Sequence, residues 1–358
     1  MCVLAATGFF LVSVPLGAQA PPAAPPPNPD TPSIKVGVLL FADYTVQDEP
    51  KTVDADGRTV TLSAFQIGRA YINVTGNISR TIAFRVTPDV VRETGTGSSL
   101  NGSYAYRLKY AFAQWNLDRH LTPGSFARFG LQPTPWLEMM DTVYRYRFQG
   151  PVFEDREAFL SPADAGAAFR YVLPGNYGDV HAGFYNGENY QHPEVNDQKA
   201  FQVRGSLRPL PGHDVLAGLR VSAFTSRDAY VKDGERNRTI GSVTFEHPRV
   251  HAGFDVLEAH DRTSVSRPDV RSEGWTAFVT PMSGHGWEGL LRADHLVTNR
   301  DNPGETKQRT IGGIAYWFPH QGTVATALMF DVDAVHYSHF AQPKPDERRF
   351  AVHSMVSF

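Results

Sequence analysis

The side chains able to do chemistry in this chain are guanidinium, ammonium and carboxylate groups that recur at every second position. Arg69, Arg85, Arg107, Lys109, Arg128, Arg170, Arg204, Arg220 and Arg292 are the cations, and Asp255, Asp294 and Asp331 are acids of the same parity. Arg208, Asp89, Glu246, Glu288 and Asp333 extend the set. Cations concentrate early in the chain and acids late. Two such walls around a water-filled space would act by electrostatics, orienting dipolar solutes as they pass; the alternative is that the charges pair across the lumen and merely solvate it. Nothing here points to bond-making. Thirteen histidines are present, among them His181, His251 and His353. None lies in a Gly-x-Ser-x-Gly or His-Glu-x-x-His arrangement. A hydrolase would need a Ser-His pair activated by a third polar group, and no local motif supplies one. The single cysteine, Cys2, falls within the first twenty residues, so the rest of the chain offers no thiol for a disulfide, a metal or a nucleophile. The expectation is a protein that is not an enzyme and uses neither cofactor nor metal.

Alternating charges share a face only on extended backbone, because successive strand side chains leave by opposite sides. Ile82, Phe84 and Val86 alternate with Ala83, Arg85 and Thr87, and Phe201, Val203 and Leu207 with Gln202, Arg204, Ser206 and Arg208. Val250, Ala252, Phe254 and Val256 alternate with His251, Gly253 and Asp255. In the same way Tyr104, Tyr106, Leu108, Tyr110 and Phe112 are expected on one face, opposite Arg107 and Lys109. Period two continues through sixteen candidate strands, at residues 33–48, 63–78, 81–92, 103–118, 125–135, 164–174, 177–188, 199–209, 214–227, 237–247, 250–260, 272–281, 286–299, 306–318, 323–338 and 346–358. Residues 63–78 and 306–318 alternate poorly, which predicts a bulge or slipped register in each.

Many of these strands reach the roughly 9 to 11 residues that a tilted membrane-spanning strand needs. Short turns such as 174–176, 211–213 and 247–249 alternate with longer polar segments at 49–62, 93–102, 136–163, 189–198, 228–236, 261–271, 300–305 and 339–345. The fold class expected is all-β: a transmembrane antiparallel β-barrel of about sixteen strands, with short periplasmic turns and long extracellular loops, in a bacterial outer membrane. Beyond the first twenty residues no apolar run is long enough for a spanning helix. A net charge of −3 argues against a nucleic-acid partner. Tyr44, Tyr104, Trp115, Trp275, Tyr316 and Phe318 fall near strand ends, where interfacial girdles form.

The ends fit export. Residues 1–20 are apolar and close on Ala18-Gln19-Ala20, a small-x-small site where a signal peptidase could cut, although no Lys or Arg precedes the apolar core. Residues 21–32 are proline-rich and predict an extended periplasmic tether, leaving 33–358 as the barrel. Phe350, Val352, Val356 and the terminal Phe358 share one parity and form a terminal strand facing lipid.

The longest connection, 136–163, is the third long one and carries Arg145, Arg147, Glu154, Asp155, Arg156 and Glu157. Long loops in compact domains tend to be functional. These six residues are expected to line a constriction if the loop folds into the barrel; a loop packed outside is the alternative.

Three short stretches, Phe65-Gln-Ile-Gly-Arg-Ala-Tyr-Ile-Asn-Val-Thr-Gly76, Arg128-Phe-Gly-Leu-Gln-Pro-Thr-Pro135, and Asp155-Arg-Glu followed by Ser161-Pro-Ala-Asp-Ala-Gly166, resemble the phosphate-selective porin O and P family. The resemblance implies a sixteen-stranded trimeric channel, with basic clusters selecting anions in some members. The functional expectation is therefore passive diffusion of small hydrophilic solutes, with an anion preference, through a homotrimer contacting outer-membrane lipid and lipopolysaccharide. The competing class is a non-conducting barrel with an adhesive or structural role, plugged by the long loop.

Overall fold

The computed structural model describes residues 31–320 and 322–358. The expected signal peptide and most of the expected tether lie outside the described residues. The strands are β1 (Ser33–Val53), β2 (Thr59–Asn77), β3 (Ile82–Arg92), β4 (Tyr104–Asn116), β5 (Phe126–Pro133), β6 (Ala163–Leu173), β7 (Gly178–Tyr185) and β8 (Ala200–Leu207). They continue as β9 (Leu219–Arg227), β10 (Glu235–His247), β11 (Val250–Arg262), β12 (Val270–Pro281), β13 (Trp287–Val297), β14 (Thr306–Phe318), β15 (Ala325–Ser338) and β16 (Glu347–Ser357). Two helices, α1 (Pro135–Val143) and α2 (Phe153–Arg156), interrupt the series between β5 and β6. Each strand pairs antiparallel with its sequence neighbours, and β1 pairs with β16 to close the barrel. The sixteen-strand, all-β expectation holds.

Alternation of apolar and polar residues decides the two surfaces. On β11, Gly253, Asp255, Leu257 and Ala259 are buried toward the lumen while Phe254, Val256 and Glu258 are exposed on the outside. On the neighbouring strands Val243, Trp275 and Leu291 continue that exposed outer surface, and Ser242, Thr276 and Arg292 continue the inner one. An outer band this apolar is stable only against hydrocarbon, and closure leaves no strand edge in it. Val256→Arg, in the middle of β11 and facing outward, should therefore cost about 2–4 kcal/mol, read as a lowered unfolding midpoint in lipid vesicles. An unchanged midpoint would contradict the placement of the lipid surface.

Several expectations are corrected. The slipped register expected over 63–78 is present where Gly68 is left unpaired between Arg69↔Phe41 and Ile67↔Ala42. The one expected over 306–318 is absent: β14 pairs continuously with β13 and β15. Tyr104 through Phe112 do not share a face. A register shift at Thr87/Pro88 leaves Lys109 unpaired on β4, so Tyr106 and Leu108 face outward while Tyr110 turns inward with Lys109. The segment 49–62 is mostly strand, because β1 and β2 run on as a long hairpin closed at 54–58.

Pairing between β2 and β3 covers only residues 74–77 with 83–86. Pro88 lies just beyond, at the register shift with β4, and has no N–H to give a ladder, a residue that sheets confine to edges and bulges. Side chains bridge the gap in part. Asn73 Oδ1 accepts from Arg85 at 2.8 Å and from the Thr87 hydroxyl at 2.9 Å, and the Ile67 N–H donates to the Tyr104 hydroxyl at 3.0 Å.

Candidate functional site

The chain leaves β5 at Pro133 and turns into the lumen as α1. Thr134 is the N-cap and Pro135 occupies the first helical turn, where the missing N–H costs nothing. The base of the excursion is pinned by the Thr134 hydroxyl donating to the Ser161 carbonyl at 2.6 Å. Between these points the loop is packed as a core. Trp136, Leu137, Met139, Met140, Val143, Tyr144, Tyr146 and Phe153 are all buried.

Their partners are inward side chains of the far wall. Trp136 meets Phe224 of β9 at 5.7 Å, Tyr144 meets Phe278 of β12 at 5.2 Å, and Phe148 meets Phe41 of β1 at 6.1 Å and Trp317 of β14 at 5.9 Å. Aromatic pairs at these separations add to the area they bury. Polar clamps follow the same path. Arg145 pairs with Glu288 at 3.2 Å and lies 4.5 Å from the Trp317 ring, Arg156 pairs with Asp333 at 3.1 Å, and Glu157 with Lys307 at 2.8 Å. The Tyr146 hydroxyl donates to Glu288 at 2.9 Å, and Arg292 donates to the Pro151 carbonyl at 2.8 Å. Burial pushes the Tyr146 phenol up and lowers Arg156 to about 10, with the Arg292 and Arg309 charges acting in the same sense on Arg156.

With the loop laid against β9 to β16, open space remains on the other side. A cavity of about 430 Å³ lies between the loop and β1 and β2, bordered by Asp43, Gln66, Arg69, Arg147, Asp155, Tyr190, Asp331 and Arg349. Beside it the inner faces of β2 to β5 carry cations stacked on aromatic rings. Arg69 lies 4.8 Å from Tyr71, Arg85 4.4 Å from Tyr110, and Arg128 3.9 Å from Phe126. Arg107 stacks on Tyr190 at 4.8 Å and donates to its hydroxyl at 2.9 Å. Lys109 is fully buried at 5.3–5.8 Å from Tyr71, Tyr110 and Tyr190, and its ammonium makes no hydrogen bond among the described residues. Carboxylates on the loop face this wall: Glu138 pairs with Arg128 at 2.7 Å and Asp141 with Arg147 at 3.0 Å. Asp155 has no ion pair among the described residues; burial raises its carboxyl above the usual range while Lys109 pulls it back down.

The twelve barrel residues singled out from parity all lie on inner faces, in three settings. Arg69, Arg85, Arg107, Lys109 and Arg128 form the basic wall. Arg170 and Arg204 converge on Asp179, and Arg220 pairs with Glu246 at 3.1 Å. Asp255 and the Arg292–Asp294 pair at 2.8 Å lie beneath the loop, while Asp331 lines the cavity beside His353 at 3.3 Å. Of the six loop residues, Arg147 and Asp155 border the cavity, but Glu154, on α2, is fully buried and cannot line a passage. Arg145, Arg156 and Glu157 are clamps to the wall. The picture of a basic wall facing an acidic wall across open lumen is also corrected. Asp294, Asp333 and Glu288 are neutralised by arginines where they stand, and the carboxylates near the basic wall are Glu138 of the loop, paired with Arg128, and the buried Asp89 of β3.

The residues missed were Trp136, Glu138, Asp141 and Tyr190. For the first three, Thr134-Pro135 was a readable helix start. Tyr190 stands in a polar external loop and carried no signal.

The described residues thus form a closed sixteen-strand barrel with a long loop folded inside it. No protein-family model and no curated protein matches the chain. The likeness is structural. OmpF of Salmonella typhi, solved in complex with daunomycin, has a TM-score of 0.60 at 11% identity over 92% of this chain and 98% of that one. The outer-membrane channel DcaP of Acinetobacter baumannii gives 0.57 at 12% identity over 92% and 98%. The trimer form of OmpT, an outer-membrane protein of Vibrio cholerae, gives 0.56 at 12% over 92% and 100%.

Proposed function

We propose that this chain is an outer-membrane porin that lets small hydrophilic solutes diffuse passively through the space between its inward loop and the basic wall. The observation that carries the reading is that cavity, bordered by Arg69, Arg147 and Asp155 and open between the inward loop and the first strands. Selection by charge at a narrow water-filled ring needs only fixed side chains. Inward cations of β2 to β4 without an ion-pair partner among the described residues, Arg69, Arg85, Arg107 and Lys109, support an anion preference and the resemblance to phosphate-selective porins. The apolar outer band supports contact with outer-membrane lipid and lipopolysaccharide, and the trimer form of one structural neighbour supports a homotrimer. The reading involves no bond-making step.

Neutralising Arg69 and Arg107 together as glutamines should shift the reversal potential in a salt gradient toward cations, while Arg227→Gln, on the outer face of β9, should leave it in place. Equal shifts would overturn the selectivity assignment. A second reading, a barrel plugged by its loop, is favoured by the continuous apolar packing of Trp136, Tyr144 and Phe148 onto the wall. It requires that no current flows.

A further inference from the structure

Glu154 is on α2, fully buried, and neither of its carboxylate oxygens has a hydrogen-bond partner among the described residues. Its strongest charged neighbour is Asp255 of β11. Asp255 is buried too: one oxygen accepts from the Ser242 hydroxyl of β10 and the other has no partner. The cation nearest in effect, Arg292 of β13, is already committed. Its Nε and one terminal nitrogen each donate to Asp294 at 2.8 Å, and the other donates to the Pro151 carbonyl at 2.8 Å. Arg156, the cation of α2 itself, is turned to Asp333 and Gln149. The Trp136 indole N–H of α1, which has no hydrogen-bond partner in good geometry among the described residues, pulls the Glu154 carboxyl down, against burial and the Asp255 charge, which push it up; the Tyr144 ring lies 5.1 Å from Arg292. With all three carboxylates ionised, Glu154, Asp255 and Asp294 would share one neutralised arginine in a site without water-exposed surface. Buried like charges this close are not both kept ionised.

We propose that Glu154 is a positioning residue that docks the loop in its protonated form, with the buried Asp255 of β11 as the like charge that disfavours its ionisation. The idea rests on the porin reading for its importance, since the docked loop sets the width of the passage. Burial, helped by the Asp255 charge, raises the Glu154 carboxyl to about 8. Released, the same carboxyl returns to roughly 4.3, the value of an exposed glutamate. The docked state therefore holds one more proton between these limits. Docking is at full strength below the released value, weakens about tenfold per pH unit as pH rises toward 8, and is constant above it.

The test uses a spin label on Thr142→Cys, an exposed position of α1, in a Cys2→Ser background of the full chain in lipid vesicles. The urea concentration that mobilises half of the label should fall from pH 5 to pH 8 and then level. Glu154→Gln, which supplies a permanent N–H donor of the same shape, should abolish that slope, and Asp255→Asn should reduce it. A Glu154→Gln protein that keeps the wild-type slope, a slope untouched by Asp255→Asn, or a wild-type midpoint that does not move with pH would each overturn the proposal. Label mobility does not depend on conduction, so a barrel that passes no current would overturn the porin reading and leave this measurement intact.

Discussion

Trp136→Ala is expected to release the inward loop and enlarge the conducting path while leaving the barrel closed. The indole is fully buried at the start of α1 and packs on Phe224 of β9, and truncating a buried tryptophan costs about 3–5 kcal/mol. Barrel closure does not depend on it, because every strand pair is held by its own ladder and α1 contributes none of them. The loss therefore falls on docking. Single-channel conductance should rise with larger fluctuations, and trypsin should cut the folded protein at Arg145, Arg147 or Arg156, sites closed off in the wild type. A variant with wild-type conductance and no new cleavage would contradict the role of the loop as the element that narrows the lumen.

Asp333→Ala should be the most damaging single change to the wall. Its carboxylate receives three guanidinium groups: Arg309 of β14 at 2.6 Å, Arg349 of β16 at 2.6 Å and Arg156 of α2 at 3.1 Å. Removing it strands three cations, two of them well buried, and loss of one partner from a buried ion pair costs about 3–5 kcal/mol. One residue thus ties the last strands to each other and both to the loop. The expected outcome is a lowered unfolding midpoint together with loop release. Arg156→Met should reproduce the loop release with a smaller loss of barrel stability, because Arg309 and Arg349 keep their partner. Equal effects from the two variants would contradict the three-way tie.

The barrel was legible because strand parity is a local property. Arg204 and Ser206, or Asp255 and Leu257, are separated by one residue that faces lipid, and no distant contact is needed to place them. Parity failed where one residue was inserted. Lys109 drops out of the pairing on β4 opposite Pro88, and everything before it changes face relative to Tyr110 and Phe112. Proline in the middle of β3 was the available sign of an irregular strand. The loop was legible as important, and its charged residues were named, but their roles were not. Whether Glu154 meets water or is buried near Asp255 depends on how the loop docks onto strands far away in the chain, at Phe41 before it and at Phe278 and Trp317 after it. No spacing within 136–163 encodes those partners. The acids of the last strands do not form an open wall because arginines reach them where they stand: Arg292, Arg309 and Arg349 from the barrel, and Arg145 and Arg156 from the loop.

The most direct test of the account is the current through single copies of the purified wild-type protein in a planar bilayer with a salt gradient across it. The proposed porin reading predicts discrete conductance steps and a reversal potential of anion-selective sign. A protein that inserts and passes no current would contradict the porin reading and leave the plugged barrel.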